Sequence, residues 1–144
     1  MALRILIADD NPAVVEMVRS LFATEGFDIV GQAADGFEAI NLTQGLRPDI
    51  AILDLAMPRL DGLEAARQIR RLCPETRVIL LSAHNSEALV TGAFRAGARA
   101  YVVKTDNTDD LVRAVREVAN GRTFLSPAAS KYIIQPYLPK KDRT

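Results

Sequence analysis

The sequence predicts an α/β domain in which five parallel strands alternate with five helices. Short apolar runs recur along the chain and are separated by longer segments with helical periodicity. Runs this short, without polar alternation, are typical of strands that are covered on both faces. Regular alternation of such strands with helices favours one parallel sheet with helices on both sides.

The first half of the chain carries three predicted strands, at residues 3–8, 27–33 and 49–54. Asn11 is a typical N-cap and Pro12 a typical first residue for the first helix, and Gly26 is typical of its end. Asp35 and Gly36 predict a turn before the second helix.

The second half adds predicted strands at residues 77–81 and 100–103. The third helix stops before Pro74, because proline disfavours helical backbone at the residue ahead of it. Gly97 marks the end of the fourth helix. Thr108 is predicted to be the N-cap of the fifth helix, which Gly121 ends.

The last part of the chain departs from this alternation. We therefore predict a main domain at residues 1–121 and a linker or tail at residues 122–144. Ser126 and Pro127 are typical of a helix start and predict a short linker helix over residues 128–134. The charged residues at the end are typical of a solvated linker.

Composition excludes several classes of function. The 144 residues include 18 basic and 18 acidic side chains, so a domain-wide field for nucleic acid or membrane is not expected. No apolar run is long enough to span a bilayer, and the start lacks the order of regions of a signal peptide. The single cysteine, Cys73, cannot form an internal disulfide, which favours the cytoplasm and a structural role for this residue.

Polar side chains follow four of the five predicted strands. Asp9 and Asp10 follow the first strand, Asp54 ends the third, Ser82 follows the fourth and Lys104 follows the fifth. The carboxyl ends of parallel strands lie at one edge of a sheet, where α/β proteins bind their ligands. Each residue alone would be read as a cap, a turn residue or a surface lysine. Together they predict a functional site.

The chemistry of this set favours phosphoryl transfer. Three carboxylates repel one another unless a cation intervenes, and Mg²⁺ prefers such oxygen ligands. A carboxylate such as Asp54 can act as the nucleophile and form an aspartyl phosphate. Lys104 can neutralise a phosphoryl oxygen, and Ser82 can donate a hydrogen bond to another.

The pattern resembles the receiver domain of bacterial two-component response regulators, from residue 3 to about residue 121. The residues that carry the resemblance are Asp9, Asp10, Asp54, Met57, Pro58, Gly62, Ser82, Ala83, Tyr101 and Lys104. The resemblance implies a flavodoxin-like (βα)5 doubly wound sheet with strand order 2-1-3-4-5. It also implies a phospho-acceptor signalling domain rather than an enzyme, although such domains can catalyse their own phosphorylation from small donors and their own dephosphorylation.

By this resemblance, a sensor histidine kinase phosphorylates Asp54. Asp10, Asp54 and the backbone carbonyl of Ala56 would bind Mg²⁺, and Asp9 would assist through a water molecule. The resemblance also assigns Lys104 to phosphoryl binding.

The resemblance further implies a switch. Ser82 would turn inward to bind the phosphoryl group and Tyr101 would follow into the vacated space, which changes the output surface. Ala56 and His84 lie where the family tunes the rate of dephosphorylation.

The end of the chain resembles the NarL/FixJ-type transcription factors. Lys104 is followed by Thr105, where many receivers have proline, and residues 121–127 match the linker that leads to a DNA-binding helix-turn-helix domain. The resemblance implies DNA binding only through such an output domain, outside this chain, no membrane partner, and a possible homodimer on phosphorylation. A truncated chain and a natural single-domain regulator both remain open.

Two other functions remain as alternatives. A phosphatase of the haloacid dehalogenase type also uses a strand-end aspartate, but it needs a second acid two residues later, where this chain has Ala56. A pseudo-receiver would bind a partner without phosphorylation, although it would not need Asp54, Ser82 and Lys104.

Overall fold

A computed structural model describes residues 2–104 and 107–132. The strands are β1 Arg4–Ala8, β2 Asp28–Ala33, β3 Ile50–Asp54, β4 Arg77–Ser82, β5 Ala100–Val103 and β6 Phe124–Leu125. The helices are α1 Pro12–Glu25, α2 Gly36–Leu46, α3 Gly62–Leu72, α4 Glu87–Arg95 and α5 Asp109–Ala119. None of the helices in the described part of the chain is long and apolar enough to cross a membrane.

All strands pair in parallel, in the order β2-β1-β3-β4-β5-β6. The predicted flavodoxin-like fold and the order of the first five strands are confirmed. The sixth strand was not predicted. It extends the sheet at β5, where Ala100 faces Phe124 and Tyr101 faces Leu125.

The sheet separates two hydrophobic cores. In β1, Leu6 and Ala8 face the core that is completed by α2, α3 and α4, whereas Ile5 and Ile7 face the core completed by α1 and α5. All four side chains are at most 1% exposed. Burial on both faces explains why the strands are continuous apolar runs without polar alternation.

Local capping signals set the ends of the first two helices. The Asn11 side chain accepts a hydrogen bond from Ala13 N, and Gly26 ends α1 in the left-handed conformation with φ 78°. Asp35 was predicted in a turn, and it is the N-cap of α2, where its side chain accepts from Glu38 N at 2.9 Å.

The start of α5 corrects one predicted detail. Thr108 precedes the helix as predicted, but it has helical backbone and its side chain makes no capping hydrogen bond. Asn107 caps the helix instead, because its Oδ1 accepts a hydrogen bond from Asp109 N at 2.9 Å. Thr105 lies outside the described residues.

The predicted helix over residues 128–134 is not formed in its described part. Residues 127–131 are consecutive turns, in which the N–H groups of Ala129 and Ser130 both donate to Ser126 O. Residues 133 and 134 lie outside the described part of the chain.

The central strand should dominate stability. Ile52 of β3 is fully buried, so Ile52→Ala leaves a cavity and should lower the free energy of unfolding by about 2–5 kcal/mol. Leu72→Ala at the end of α3, where the side chain is 38% exposed, is the control and should cost about 1 kcal/mol or less. Urea denaturation measures both values. Equal losses in the two variants would contradict the assigned core.

Candidate functional site

Backbone hydrogen bonds bring the predicted site residues to one edge of the sheet. Asp54 is the last residue of β3 and Ser82 the last residue of β4, while Asp9 and Lys104 directly follow β1 and β5. Parallel pairing continues past the strand ends, where Lys104 N donates to Ser82 O at 2.7 Å. The pairing therefore fixes the position of each loop that leaves this edge.

Three carboxylates meet at this edge. Oxygen atoms of Asp9, Asp10 and Asp54 all lie within 4.8 Å of one another. Asp9 is 3% exposed and Asp54 5% exposed, whereas Asp10 is open to solvent. Buried carboxylates are costly unless a cation or hydrogen-bond donors compensate them.

Lys104 compensates the two buried carboxylates. Its Nζ atom lies 3.0 Å from Asp9 Oδ2 and 3.2 Å from Asp54 Oδ2. Burial lowers the pKa of Lys104, but the contacts with Asp9 and Asp54 outweigh this effect and raise it. Lys104 is therefore a permanent cation between the two acids.

One positive charge does not balance this cluster. Burial raises the pKa of Asp54, and the neighbouring Asp9 charge raises it further, while Lys104 opposes both effects. Asp9 Oδ2 is buried and lacks a well-directed hydrogen-bond donor among the described residues, so its ion pair with Lys104 is its main compensation. Three carboxylates offer hard oxygen ligands here, and one of these oxygens, Asp9 Oδ2, is poorly compensated. Such a set of ligands fits a divalent cation such as Mg²⁺.

Backbone N–H groups hold the second oxygen of each buried acid. Asn11 N donates to Asp9 Oδ1 at 2.9 Å, and Ala56 N donates to Asp54 Oδ1 at 3.3 Å. Each carboxylate thus has one oxygen bound by its own loop and the other directed at Lys104. This arrangement fixes the orientation of Asp54 and leaves the Ala56 side chain exposed.

Gly62 allows α3 to begin directly against Asp54. A Cβ atom at this position would lie 2.4 Å from the Asp54 carbonyl oxygen, and Gly62 N donates to Leu55 O at 2.9 Å. The sequence analysis named Gly62 only as part of the family resemblance. Its structural role is to permit close approach of helix and strand backbones.

Ser82 and Tyr101 bind the same backbone unit. Ser82 Oγ accepts a hydrogen bond from His84 N at 3.0 Å, and Tyr101 donates from its hydroxyl to His84 O at 2.8 Å. Both residues are at most 1% exposed, whereas the His84 side chain is open to solvent. Burial raises the pKa of Tyr101, partly opposed by the Ser82 hydroxyl, so Tyr101 remains a neutral donor.

Sequence reasoning missed a contact beside this unit. Asn85 follows His84, and its side chain donates to Ala128 O at 2.7 Å. A single asparagine in a loop gives no sequence signal, because its partner is distant in the chain.

The family model for the response regulator receiver domain matches residues 5–116 of this chain. The chain belongs to the response regulator receiver family. The match spans the sheet edge that carries Asp9, Asp54, Ser82 and Lys104.

Full-length relatives are similar along most of this receiver. The transcriptional regulatory protein DegU of Brevibacillus brevis is 33% identical over 136 residues, which cover 94% of this chain and 58% of DegU. The chemotaxis protein CheY of Thermotoga maritima is 32% identical over 119 residues, which cover 83% of this chain and 99% of CheY. A LuxR-family two-component response regulator from Aurantimonas superposes with a TM-score of 0.89 at 35% identity, covering 94% of this chain and 98% of that one.

The receiver spans only part of its transcriptional relatives. It matches 58% of DegU and 58% of a probable NarL from Mycobacterium tuberculosis. The chain is thus a receiver of the kind found in NarL- and LuxR-type response regulators.

The structure brings the predicted acids, lysine and serine of this receiver to one edge, with Tyr101 beneath the His84 backbone. The roles assigned to these residues, and to Ala56 and His84, stay predictions.

Replacement of the central cation should destabilise the fold. Lys104→Met leaves Asp9 and Asp54 facing each other, and should lower the free energy of unfolding at neutral pH by about 1–3 kcal/mol. Without Lys104 the pKa of Asp54 in the folded variant would rise further. Protonation of Asp54 at lower pH then stabilises the folded state, so the loss of unfolding free energy should shrink as the pH falls.

Urea denaturation at several pH values measures this loss. Lys131→Met, at an exposed position outside the carboxylate cluster, is the matched control. Adding Asp9→Asn to Lys104→Met should recover part of the loss. A Lys104→Met protein as stable as the control would contradict the compensating role of Lys104.

Proposed function

We propose that this receiver takes a phosphoryl group on Asp54 from the phosphohistidine of a sensor histidine kinase. The observation that carries the proposal is the environment of Asp54, a buried carboxylate held by Ala56 N and Lys104 beside two further acids. Phosphorylation forms a bond between an Asp54 oxygen and phosphorus and breaks the phosphorus–nitrogen bond of the donor. The bonding electrons leave with the histidine, which takes up a proton.

The chain's own groups would stabilise the charge that this transfer carries. Lys104 is already within 3.2 Å of Asp54, so it can turn from that carboxylate to a phosphoryl oxygen on the same residue. Ser82, at the end of the neighbouring strand, can donate its hydroxyl to another oxygen. Catalysis of this kind is mostly positioning and charge stabilisation.

Mg²⁺ is the proposed cofactor. Asp10, Asp54 and the backbone carbonyl of Ala56 would bind it, and Asp9 would assist through a water molecule. The proximity of the three carboxylates and the poorly compensated Asp9 Oδ2 support this assignment. When bound, the ion would neutralise carboxylate and phosphoryl charge and orient the phosphoryl oxygens. A solved CheX–CheY–BeF3–Mg²⁺ complex from Borrelia burgdorferi, 33% identical with a TM-score of 0.77, also supports it.

The proposed switch uses the shared contacts of Ser82 and Tyr101. When Ser82 turns to the phosphoryl group, it gives up or alters its hydrogen bond with His84 N, and Tyr101 is bound to the carbonyl of the same residue. Movement at one side chain is thus passed to the other. The exposed side chains of Ala56 and His84 would set how readily water reaches the phosphoryl group.

The output is proposed to be transcriptional. Residues 1–121 would be the receiver domain, and residues 122–144 would lead to a DNA-binding domain outside this chain. The partial coverage of DegU supports this organisation. We propose a homodimer on phosphorylation; RcsB, whose dimers have been solved bound to DNA, is 28% identical with a TM-score of 0.82, which supports the homodimer. A receiver must meet the kinase domain that donates its phosphoryl group. With a cytoplasmic kinase domain as the donor, the proposed location of the protein is the cytoplasm.

Loss of the acceptor should abolish phosphorylation. Asp54→Asn removes the nucleophile, so incubation with Mg²⁺ and acetyl phosphate should give no shifted band in a phosphate-affinity gel, whereas wild type should shift. Asp28→Asn, an exposed acid on β2, is the matched control and should shift as wild type does. Labelling of Asp54→Asn at the wild-type level would show that another residue is the acceptor. No label in any protein would favour the pseudo-receiver.

Mg²⁺ should stabilise the folded receiver. A ligand that binds only the folded state at 100 times its dissociation constant adds about 2.7 kcal/mol to the free energy of unfolding. Thermal unfolding at increasing Mg²⁺ should therefore show a rising melting temperature that excess EDTA reverses. Asp10→Asn, an exposed position, should fold and lose most of this response, whereas Asp28→Asn should keep it. An equal response in all three proteins would exclude the proposed site.

A further inference from the structure

After α5 the chain returns to the sheet and forms what we call the strap, residues 124–132. Its first two residues are β6, paired with β5. Ser126 continues this pairing, because its N–H donates to Tyr101 O at 3.1 Å and its Oγ accepts from Val103 N at 3.0 Å. Ser126 and Ala129 are fully buried. The strap is therefore docked on the receiver through buried contacts.

The strap also holds the β4–α4 loop, residues 83–86. The Asn85 side chain donates to Ala128 O at 2.7 Å, and the Tyr132 hydroxyl donates to Asn85 O at 3.3 Å. Both contacts join segments more than 40 residues apart in the chain, with separations of 43 and 47 residues. The loop and the strap thus each donate one hydrogen bond to the other.

The same loop contains the unit that Ser82 and Tyr101 share. His84 N donates to Ser82 Oγ and His84 O accepts from the Tyr101 hydroxyl, one residue before Asn85. Ser82 is therefore linked to Ala128 and Tyr132 in three steps. A hydrogen bond joins Ser82 to His84, the peptide bond joins His84 to Asn85, and hydrogen bonds join Asn85 to the strap. Displacement of the His84 backbone must change the Asn85 contacts or move the strap with it.

One polar atom of the Asn85 side chain is buried without a hydrogen bond in the described part of the chain. Its Oδ1 is buried and has no hydrogen-bond partner among the described residues, although its Nδ2 is bound to the strap. A buried acceptor without a partner costs free energy, so an asparagine here calls for an explanation. The hydrogen bond from Asn85 Nδ2 to Ala128 O is a contact that an apolar residue could not make.

We propose that the strap is the element through which this receiver passes the state of its phosphoryl site to the chain that follows, and that Asn85 is the positioning residue of this coupling. The inference rests on the proposed function, since it assigns an intramolecular partner to the same switch. Residue 132 is followed directly by the rest of the chain, so an output segment that follows the receiver would be attached to the strap. Coupling between two sites is reciprocal, so loosening the strap must also change anion binding at Asp54.

The experiment combines hydrogen exchange with titration of beryllofluoride, a phosphoryl mimic, in the presence of Mg²⁺. In wild type, beryllofluoride should change the exchange of strap amides together with that of the β4–α4 loop. Asn85→Ala should speed exchange of the strap about 2- to 10-fold, as expected for one hydrogen bond, and remove most of its response to beryllofluoride. Its apparent dissociation constant for beryllofluoride should change by a factor within the same range.

Asn41→Ala, at an exposed asparagine on α2, is the matched control and should behave as wild type. Tyr132→Phe removes only the hydroxyl contact with Asn85 O, so it tests the same coupling if Asn85→Ala does not fold. Acetyl phosphate labelling of Asp54 should persist in all three variants.

The outcomes separate the two proposals. If Asp54 is labelled but the strap does not respond to beryllofluoride, the coupling is wrong and the phospho-acceptor function stands. If Asn85→Ala and Tyr132→Phe both match Asn41→Ala, the loop contacts do not carry the coupling. If wild type neither binds beryllofluoride nor becomes labelled, the proposed function fails and the inference fails with it.

Discussion

Lys104 lies between two buried carboxylates, and this contact constrains the whole carboxyl edge of the sheet. Its Nζ atom is 3.0 Å from Asp9 and 3.2 Å from Asp54, so β1, β3 and β5 must end at nearly the same level. Parallel pairing in register meets that condition across the sheet. Two ionised carboxylates at such low exposure are costly without a cation between them. The fold at this edge and the chemistry proposed for it therefore depend on the same contact.

Backbone groups orient the acids of this edge. The N–H groups of Asn11 and Ala56 hold one oxygen of Asp9 and of Asp54, and Gly62 lets α3 begin against the Asp54 carbonyl. The cost of orienting the acids is thus met by folding and not by binding. A preorganised charged site of this kind favours developing charge more strongly than a flexible one would.

The other end of the site is held by a shared set of hydrogen bonds. Ser82, His84 and Tyr101 are joined by two hydrogen bonds to one backbone unit, and Asn85 leaves a buried oxygen without a partner. A change at Ser82 must therefore alter contacts that Tyr101 and Asn85 share through the same backbone. A charged edge beside such a linked loop suits a domain in which local charge change is converted into movement.

The features that depend on local chemistry could be predicted from the sequence alone. Apolar runs predicted five of the six strands in the described residues, and Asn11 and Gly26 predicted the ends of α1 because capping needs only neighbouring residues. The acids, Ser82 and Lys104 could be placed at one edge because all parallel strands end there. The strand order came from the family resemblance, since periodicity does not specify which strands are neighbours.

Other features depend on contacts between segments that are distant in the chain or on packing against the sheet. β6 has two residues, too few for any periodicity, and it forms because β5 offers an unpaired edge. Asn107 rather than Thr108 caps α5, since the backbone at Thr108 is already helical. The contact of Asn85 with Ala128 joins distant segments, and nothing in either segment specifies the other. Contacts of this kind arise from packing, so they become visible only when the fold has brought the segments together.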